Sequence, residues 1–142
     1  MSVTIAAEKS VLGCLIDCPE MIPAVIQTGI ERDDFSFSEY GIAWDHLRKM
    51  SLEQQPISLT LLWDRMGGDK NTAAMLGDLT FGCVAVERRV LSLVQIILKY
   101  SQIRACGRLG DCLMAQSRDP YADPGQIIAQ AAATLMQVGG AV

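Results

Sequence analysis

Apolar residues recur with helical spacing along most of this chain, and the clearest example lies near its start. In the stretch 6–16, AAEKSVLGCLI, four aliphatic side chains share one face of a helix. Gly13 costs such a helix about 1 kcal/mol relative to alanine, and close approach by another backbone is the usual compensation. We therefore predict a central core helix capped by Thr4, with Gly13 against a crossing neighbour and Glu8 and Lys9 solvated. An ordinary first helix with a tolerated glycine is the alternative.

The same spacing, bounded by proline, glycine and capping residues, predicts four further short helices. Gly29 is placed to end the first of them, Ser38 to cap the second and Ser58 to cap the third. The lone histidine, His46, falls on the outer side of its helix and is expected to be solvated. The predicted helices cover residues 20–28, 38–53, 59–66 and 72–80.

A longer helical tract follows at about 86–117, and a last helix covers 124–138 after a loop. Two antiparallel helices joined in this way form a hairpin, which buries only one face of each helix. The second apolar face needs a partner, and an identical hairpin is the simplest one. Since no segment alternates as a strand would, the predicted fold is all-α. It has a compact bundle of short helices at 1–82 and a long helical hairpin at 83–142.

The composition narrows the classes of function. Half of the 142 residues are hydrophobic and a fifth are charged, which is typical of a folded domain. A net charge of -4 argues against a basic nucleic-acid clamp, so weak or no direct binding to nucleic acid is expected. The chain does not open like a secretory signal, and its longest apolar run, 90–98, is far shorter than the ~20 residues of a membrane span. We expect a cytoplasmic protein with no membrane partner.

Candidate chemistry in the sequence is sparse. The five cysteines include no Cys-x-x-Cys pair, and we expect them to be buried free thiols that hold no metal. The acidic pair Asp33 and Asp34 is typical of a capped turn anchored by Phe35. In the stretch GGDKNT, Asp69 places a carboxylate where the phosphate oxygens would lie in a phosphate-binding loop. We therefore predict that this chain does not bind a nucleotide. An enzyme acting through the acidic pair and His46 is the least favoured hypothesis, because no catalytic pair is recognisable.

Several short motifs occur in order along the chain. They are E-x-S-V-L-G-x-L over Glu8 to Leu15, an acidic-Phe turn at Asp34 and Phe35, a helix from Tyr40 to Met50 with P-I-S-x-x-x-L from Pro56 to Leu62 after it, a basic pair at Lys99 and Arg104, and a turn at Asp119 and Pro120. In this order and at these spacings, the chain resembles the N-terminal domain of bacterial and phage DnaB-type replicative DNA helicases. The chain departs from the family near 72–73, where a Gly-Gly pair is usual, and in TFGCVAVERR, where a more polar segment is usual. The residues at the centre of this family motif are Glu8, Leu12, Gly13, Leu15, Phe35, Pro56 and Ile57.

The resemblance implies a non-catalytic role in DNA replication. In this family the domain forms a collar on the helicase ring, where hairpins pair subunits and three dimers make a triangle. Primase docks on the collar to form the primosome, and helicase loaders act on it in some systems. ATP and Mg²⁺ belong to a motor domain that this chain lacks, so no catalytic, cofactor-binding or metal-binding residue is predicted.

Two interaction hypotheses therefore remain open from the sequence. The first is the helicase collar, and the second is a stand-alone phage or mobile-element adaptor that binds host helicase or primase. In either case the apolar hairpin is expected to carry self-association or partner contacts, although periodicity does not separate contact residues from intramolecular core. The expected positions are Val94, Ile97, Leu98, Leu109, Ile128 and Leu135.

Overall fold

The structure is a computed structural model that describes residues 2–82 and 86–139, and within those residues it contains helices and no strand. The predicted all-α fold is therefore confirmed. A 3-10 turn at Pro19–Met21 precedes the second helix, and another at Arg32–Asp34 precedes the third. The helices are α1 (Val3–Asp17), α2 (Ile22–Gln27), α3 (Ser38–Leu52), α4 (Leu59–Arg65), α5 (Lys70–Gly77), α6 (Glu87–Ser117) and α7 (Pro124–Gly139).

The chain divides into two compact units, Met1–Leu98 and Lys99–Val142. The first unit contains α1 to α5 and the beginning of α6, and the second contains the rest of α6 with α7. The division falls later than the boundary after residue 82 proposed from the sequence. The reason is that Val90, Val94 and Ile97, on the first turns of α6, are buried in the core of the first unit.

Helix α1 forms the centre of the first unit. Its side chains at Val11, Leu12 and Leu15 are fully buried, so the predicted apolar stripe is confirmed. Helix α3 packs against it and buries Trp44, whose indole N–H donates a 3.2 Å hydrogen bond to the carbonyl of Ile30. Burial of each large apolar side chain contributes about 1.5–3 kcal/mol, so this pair of helices supplies much of the driving force for folding.

Gly13 lies where another backbone crosses closely, as the sequence analysis predicted. A Cβ atom built on Gly13 would overlap the carbonyl of Thr80. The amide of Thr80 also donates to the carbonyl of Lys9 at 3.4 Å, and Gly82 N–H donates to the Asp17 carboxylate at 3.2 Å. The neighbour is therefore the segment after α5 rather than another helix.

Glu8 is fully buried, which corrects the expectation that it is solvated. Its carboxylate accepts hydrogen bonds from the backbone N–H groups of Ser36 at 2.7 Å and Phe37 at 3.4 Å, just before α3. It also accepts from the hydroxyls of Ser36 at 2.5 Å and Thr4 at 3.3 Å. Because backbone amides near a helix start lack carbonyl partners within the helix, a carboxylate from α1 fastens this segment to the core.

The helix caps were predicted with mixed success. Ser58 accepts from Leu61 N–H at 3.2 Å and caps α4, as expected, and Gly29, with φ of +80°, follows the end of α2. The cap of α1 is Ser2 rather than Thr4, and Ser38 lies inside α3 instead of capping it. Helix α3 is capped one residue earlier than predicted, at Phe37, because the amides of Tyr40 and Gly41 donate to the carbonyl of Phe37 at 3.0 and 3.2 Å.

Asp69, Asp34 and Phe35 have structural roles. Asp69 accepts from Thr72 N–H at 2.7 Å and caps α5, which holds the pKa of its carboxyl below the ordinary value. Asp34 accepts from Glu31 N–H at 2.7 Å in a capping box, and Phe35 is buried beside that turn. The capped turn that the sequence favoured is therefore confirmed.

His46 and the cysteines depart from expectation. His46 is half-buried rather than solvated, and its enclosed Nδ1 atom has no hydrogen-bond partner among the described residues. Burial lowers the His46 pKa, with a further contribution from nearby Arg65. Cys14 is buried as expected, but Cys106 and Cys112 are exposed, because the two-helix second unit has no enclosed interior. Cys18 is half-buried, and Cys83 lies outside the described residues.

No single helix among the described residues has both the length and the apolar character to cross a bilayer. Helix α1 and the segment Pro19–Gln27 reach that length and composition together, but they are bent by 112° relative to each other.

Candidate self-association surface

The second unit is a helical hairpin built from Lys99–Ser117 of α6 and all of α7. Asp119 accepts from Tyr121 N–H at 2.9 Å in the connecting turn, and Asp123 accepts from Gly125 N–H at 3.0 Å where α7 begins. Near the other end, the side-chain amide of Gln102 donates to the Val138 carbonyl at 3.2 Å. This bond joins the early part of one helix to the end of the other, so the two helices are antiparallel.

Helix α7 has three distinct faces. Since successive residues are rotated by about 100°, side chains at i, i+4 and i+7 share a face. The half-buried face towards α6 consists of Ile127, Ala131, Thr134 and Val138. A polar face carries Gln126, Gln130 and Gln137, all exposed. The third face is apolar and exposed, and we call it the outer α7 stripe: Gly125, Ile128, Ala129, Ala132, Leu135, Met136 and Gly139.

The large residues of the outer α7 stripe are unusually open to solvent. Ile128 is 69% exposed, Leu135 51% and Met136 76%. On α6, Ile103 and Met114 are 54% and 57% exposed. Scattered surface aliphatics are ordinary, but a continuous apolar face on one short helix is a candidate contact surface.

The hairpin has no enclosed core of its own. Along α7 no residue is buried, and the buried residues of α6 all lie before Lys99. Leu109 and Leu113, which lie on one side of α6, are only half-buried. A unit that excludes so little water from its apolar side chains gains little from folding alone, so a partner that covers the exposed faces would stabilise it.

The residues proposed from the sequence as an interface separate into three groups. Val94 and Ile97 are fully buried in the first unit, so their side chains cannot contact a partner, and the structure removes them from the candidate surface. Leu98 is partly buried against that same core, and Leu109 is half-buried on the hairpin. Ile128 and Leu135 are exposed and remain candidates. The sequence did not distinguish these groups because both core and contact residues recur at the same helical spacing.

Sequence reasoning also missed exposed residues that the structure places on the hairpin. Met136 belongs to the outer α7 stripe, while Ile103 and Met114 lie on the exposed side of α6. A sequence signal existed only for Ile103 and Met114, which share one face of α6 with Gly107 and Gly110 between them. Two aliphatic side chains separated by glycines are too weak a pattern to predict a contact face.

The charged residues of the hairpin helices lie on α6 and not on α7. Helix α7 contains no charged residue over its sixteen positions. The α6 part of the hairpin carries Lys99, Arg104, Arg108 and Asp111. Because charged residues are depleted in the centres of protein interfaces, α7 has the composition of a central contact element and α6 that of a flank.

The fold and surface thus describe an all-α domain with a closed helical bundle and an open apolar hairpin. The DnaB-like helicase N terminal domain family model matches residues 1–97, which coincides closely with the first compact unit. The chain belongs to this family. It thereby contains the N-terminal oligomerisation domain of a helicase and not the ATPase motor. None of the curated proteins compared with the chain matches it.

Proposed function

We propose that this chain is the collar of a replicative helicase, that its hairpin pairs two copies, and that the collar receives primase. The observation that carries the proposal is the open hairpin, whose exposed Ile128, Leu135 and Met136 have no cover within the second unit. Family membership supports self-association as the role of the domain. The dimer is the first level of assembly, and three dimers joined in a ring are the second.

Light scattering over a range of protein concentrations tests the self-association. We expect a mass of two chains, or of six, that falls towards one chain on dilution. A strict monomer at high concentration would contradict pairing through the hairpin and would favour an adaptor that offers this face to another protein.

Primase docking is the second part of the proposal. It is supported by family membership and by the resemblance described from the motifs, and a helicase loader is a further proposed partner. A fluorescently labelled C-terminal region of the primase encoded in the same genome, titrated with this chain, should show saturable binding. Absence of binding to an assembled dimer or hexamer would contradict the docking role without affecting self-association.

Direct binding to DNA is not part of the proposed role. Residues 1–98 contain thirteen acidic and eight basic side chains, a net charge of -5. Such a surface repels the phosphate backbone rather than releasing its counterions. In a gel-shift assay at physiological salt, we therefore expect no retardation of single-stranded or duplex DNA by this chain. The proposed role would be performed in the cytoplasm.

A further inference from the structure

The first unit carries an open groove of about 430 Å³, which we call the Asp17 groove. The end of α1, the start of α4 and the segment after α5 each contribute to its walls. The pairing proposed for the hairpin does not involve any of these segments. The residues that line the groove are Ile16, Asp17, Ile57, Ser58, Leu59 and Phe81.

Hydrogen bonds within the chain hold the walls of the groove in place. The Gly82 N–H donates to Oδ2 of Asp17 at 3.2 Å, which fastens the segment that carries Phe81 to the end of α1. The hydroxyl of Ser58 accepts from the Leu61 N–H at 3.2 Å and fixes the start of α4. The groove is therefore formed before any partner binds, and such preorganisation lowers the cost of binding.

Apolar side chains in the groove remain open to solvent. Leu59 is 38% exposed and Phe81 36% exposed, and Ile57 is half-buried. Ile16 belongs to the buried core, so the groove is continuous with the interior of the unit. Its volume of about 430 Å³ lies near the lower end of the range for ligand pockets, about 300–1,000 Å³. The groove therefore fits one or two apolar side chains rather than a broad protein surface.

The charge beside the groove favours a cation. Asp17 is exposed, and it is the one lining residue with an ionisable side chain. It is also the last residue of α1, at the negative pole of a fifteen-residue helix whose last turn contains no basic side chain. The positive pole at the start of α4 is weaker, because that helix has only seven residues and Ser58 already accepts one of its amides. The net charge of -5 on residues 1–98 attracts a cation further.

An arginine side chain matches two features of the groove at once. Its planar guanidinium binds carboxylates and also stacks on aromatic rings. Asp17 supplies the carboxylate and Phe81 supplies the ring. The Gly82 amide uses Oδ2 of Asp17, and among the described residues no group donates to Oδ1, so that oxygen is available to a partner.

We propose that the Asp17 groove receives a short segment of a partner protein in which an arginine adjoins a large apolar side chain. The apolar side chain packs against Ile57 and Leu59, and the guanidinium binds Asp17. A second copy of this chain fits poorly, because its most exposed aliphatic side chains, Met136 and Ile128, lie on α7, which has no charged residue. This inference goes beyond the proposed pairing and primase docking and depends on neither.

Peptide titration followed by two-dimensional NMR tests the proposal. The probe is a short synthetic peptide with a central Arg-Phe pair among glycines and serines, added to the nitrogen-15-labelled chain. The amide signals of Gly82 and Leu59 should shift saturably. A peptide with glutamate in place of arginine should bind at least about threefold more weakly, because it brings an anion to Asp17. A peptide with alanine in place of phenylalanine should also bind more weakly, because it lacks the apolar anchor.

Substitutions in the chain test the same contacts. Asp17→Asn keeps an oxygen for the Gly82 N–H but removes the charge, and it should raise the dissociation constant of the Arg-Phe peptide about threefold. Leu59→Ser should raise it about fivefold, since part of the apolar wall is lost. Asp64→Asn and Leu61→Ser are the matched controls, because both residues are exposed on α4 and neither lines the groove. The controls should leave the dissociation constant unchanged, and all four variants should keep the helical signal in circular dichroism.

Three results would overturn the inference. The first is the absence of amide shifts at about 5 mM peptide, where a contact of millimolar affinity would be mostly occupied. The second is equal binding of the glutamate peptide, or equal effects of Leu59→Ser and Leu61→Ser. The third is a lower mass of Leu59→Ser in light scattering, which would make the groove a contact between copies of this chain. Either of the first two results would leave the proposed self-association and primase docking unaffected.

Discussion

Replacing Glu8 with glutamine tests how the bundle is held together. The substitution keeps the size of the side chain but removes its charge and exchanges one acceptor oxygen for an N–H donor. In the folded protein the carboxylate receives two backbone amides and two hydroxyls, and it is fully buried. The change therefore acts on the link between α1 and the segment before α3.

The expected loss follows from the hydrogen bonds. Bonds to a charged acceptor contribute about 1.5–3 kcal/mol and bonds to a neutral one about 0.5–1.5 kcal/mol, so the shortest amide bond loses about 1 kcal/mol. Loss of a negative charge near the start of α3 removes about 0.3–1 kcal/mol more. We expect Glu8→Gln to lower the free energy of unfolding by about 2 kcal/mol. Glu8→Ala should lower it further, because it also leaves the amides without an acceptor and a cavity in the core.

Urea unfolding followed by tryptophan fluorescence is a suitable assay, because Trp44 is buried in the same unit. Exposed Glu20 provides the matched control, and Glu20→Gln should change the free energy of unfolding by less than about 0.5 kcal/mol. If Glu8→Gln changed the free energy of unfolding as little as this control, the hydrogen bonds from Ser36 and Phe37 to the Glu8 carboxylate would not be important for stability.

Three further predictions address packing, the interface and pH. Gly13→Ala should destabilise the first unit by about 1–3 kcal/mol because its Cβ meets the Thr80 carbonyl, while Gly77→Ala, with open space around it, should not. In circular dichroism and light scattering, Ile97→Ala should reduce stability by about 2–5 kcal/mol, whereas Leu135→Glu should keep the helical signal and shift the mass towards monomer. Burial lowers the pKa of His46 in the folded state below the unfolded value of 6.5. The free energy of unfolding should therefore be constant above pH 6.5 and fall as the pH drops below it. In urea titrations at a series of pH values, His46→Gln should make that fall smaller. An unfolded Leu135→Glu protein, or a His46→Gln protein with the same pH profile as the parent, would contradict the corresponding argument.

Features set by local sequence were predictable. Ser58 caps α4 because its hydroxyl reaches an amide three residues away, and Gly29 ends α2 through its own φ. The helical stripe of α1 was likewise visible from spacing alone. Gly13 belongs to this group because the cost of a helical glycine already implies a compensating close contact.

Features set by distant parts of the chain were not predictable. The burial of Glu8 depends on a hydrogen bond from the Ser36 amide, 28 residues away. Nothing in the sequence of the first helix indicates that this amide will donate to the Glu8 carboxylate. The exposure of Cys106 follows from the lack of an interior in the second unit, which cysteine content does not reveal. Val94 and Ile128 show why the predicted interface combined core and surface residues. Both fit an apolar helical stripe, and only their surroundings in the fold make Val94 a core residue and Ile128 a surface residue.

The contrast between the two units explains why self-association is assigned to the hairpin. In the first unit, α1 is enclosed, and the early turns of α6 bury Val90, Val94 and Ile97, so its main apolar surface is already covered. In the second unit, Ile128 and Leu135 have no such cover. The hydrophobic effect favours removal of apolar area from water, and the aliphatic side chains with the greatest exposed fractions, Met136 and Ile128, lie on α7. A charged substitution on α7 should therefore separate the copies without unfolding them, whereas the same change in the first unit should unfold the bundle.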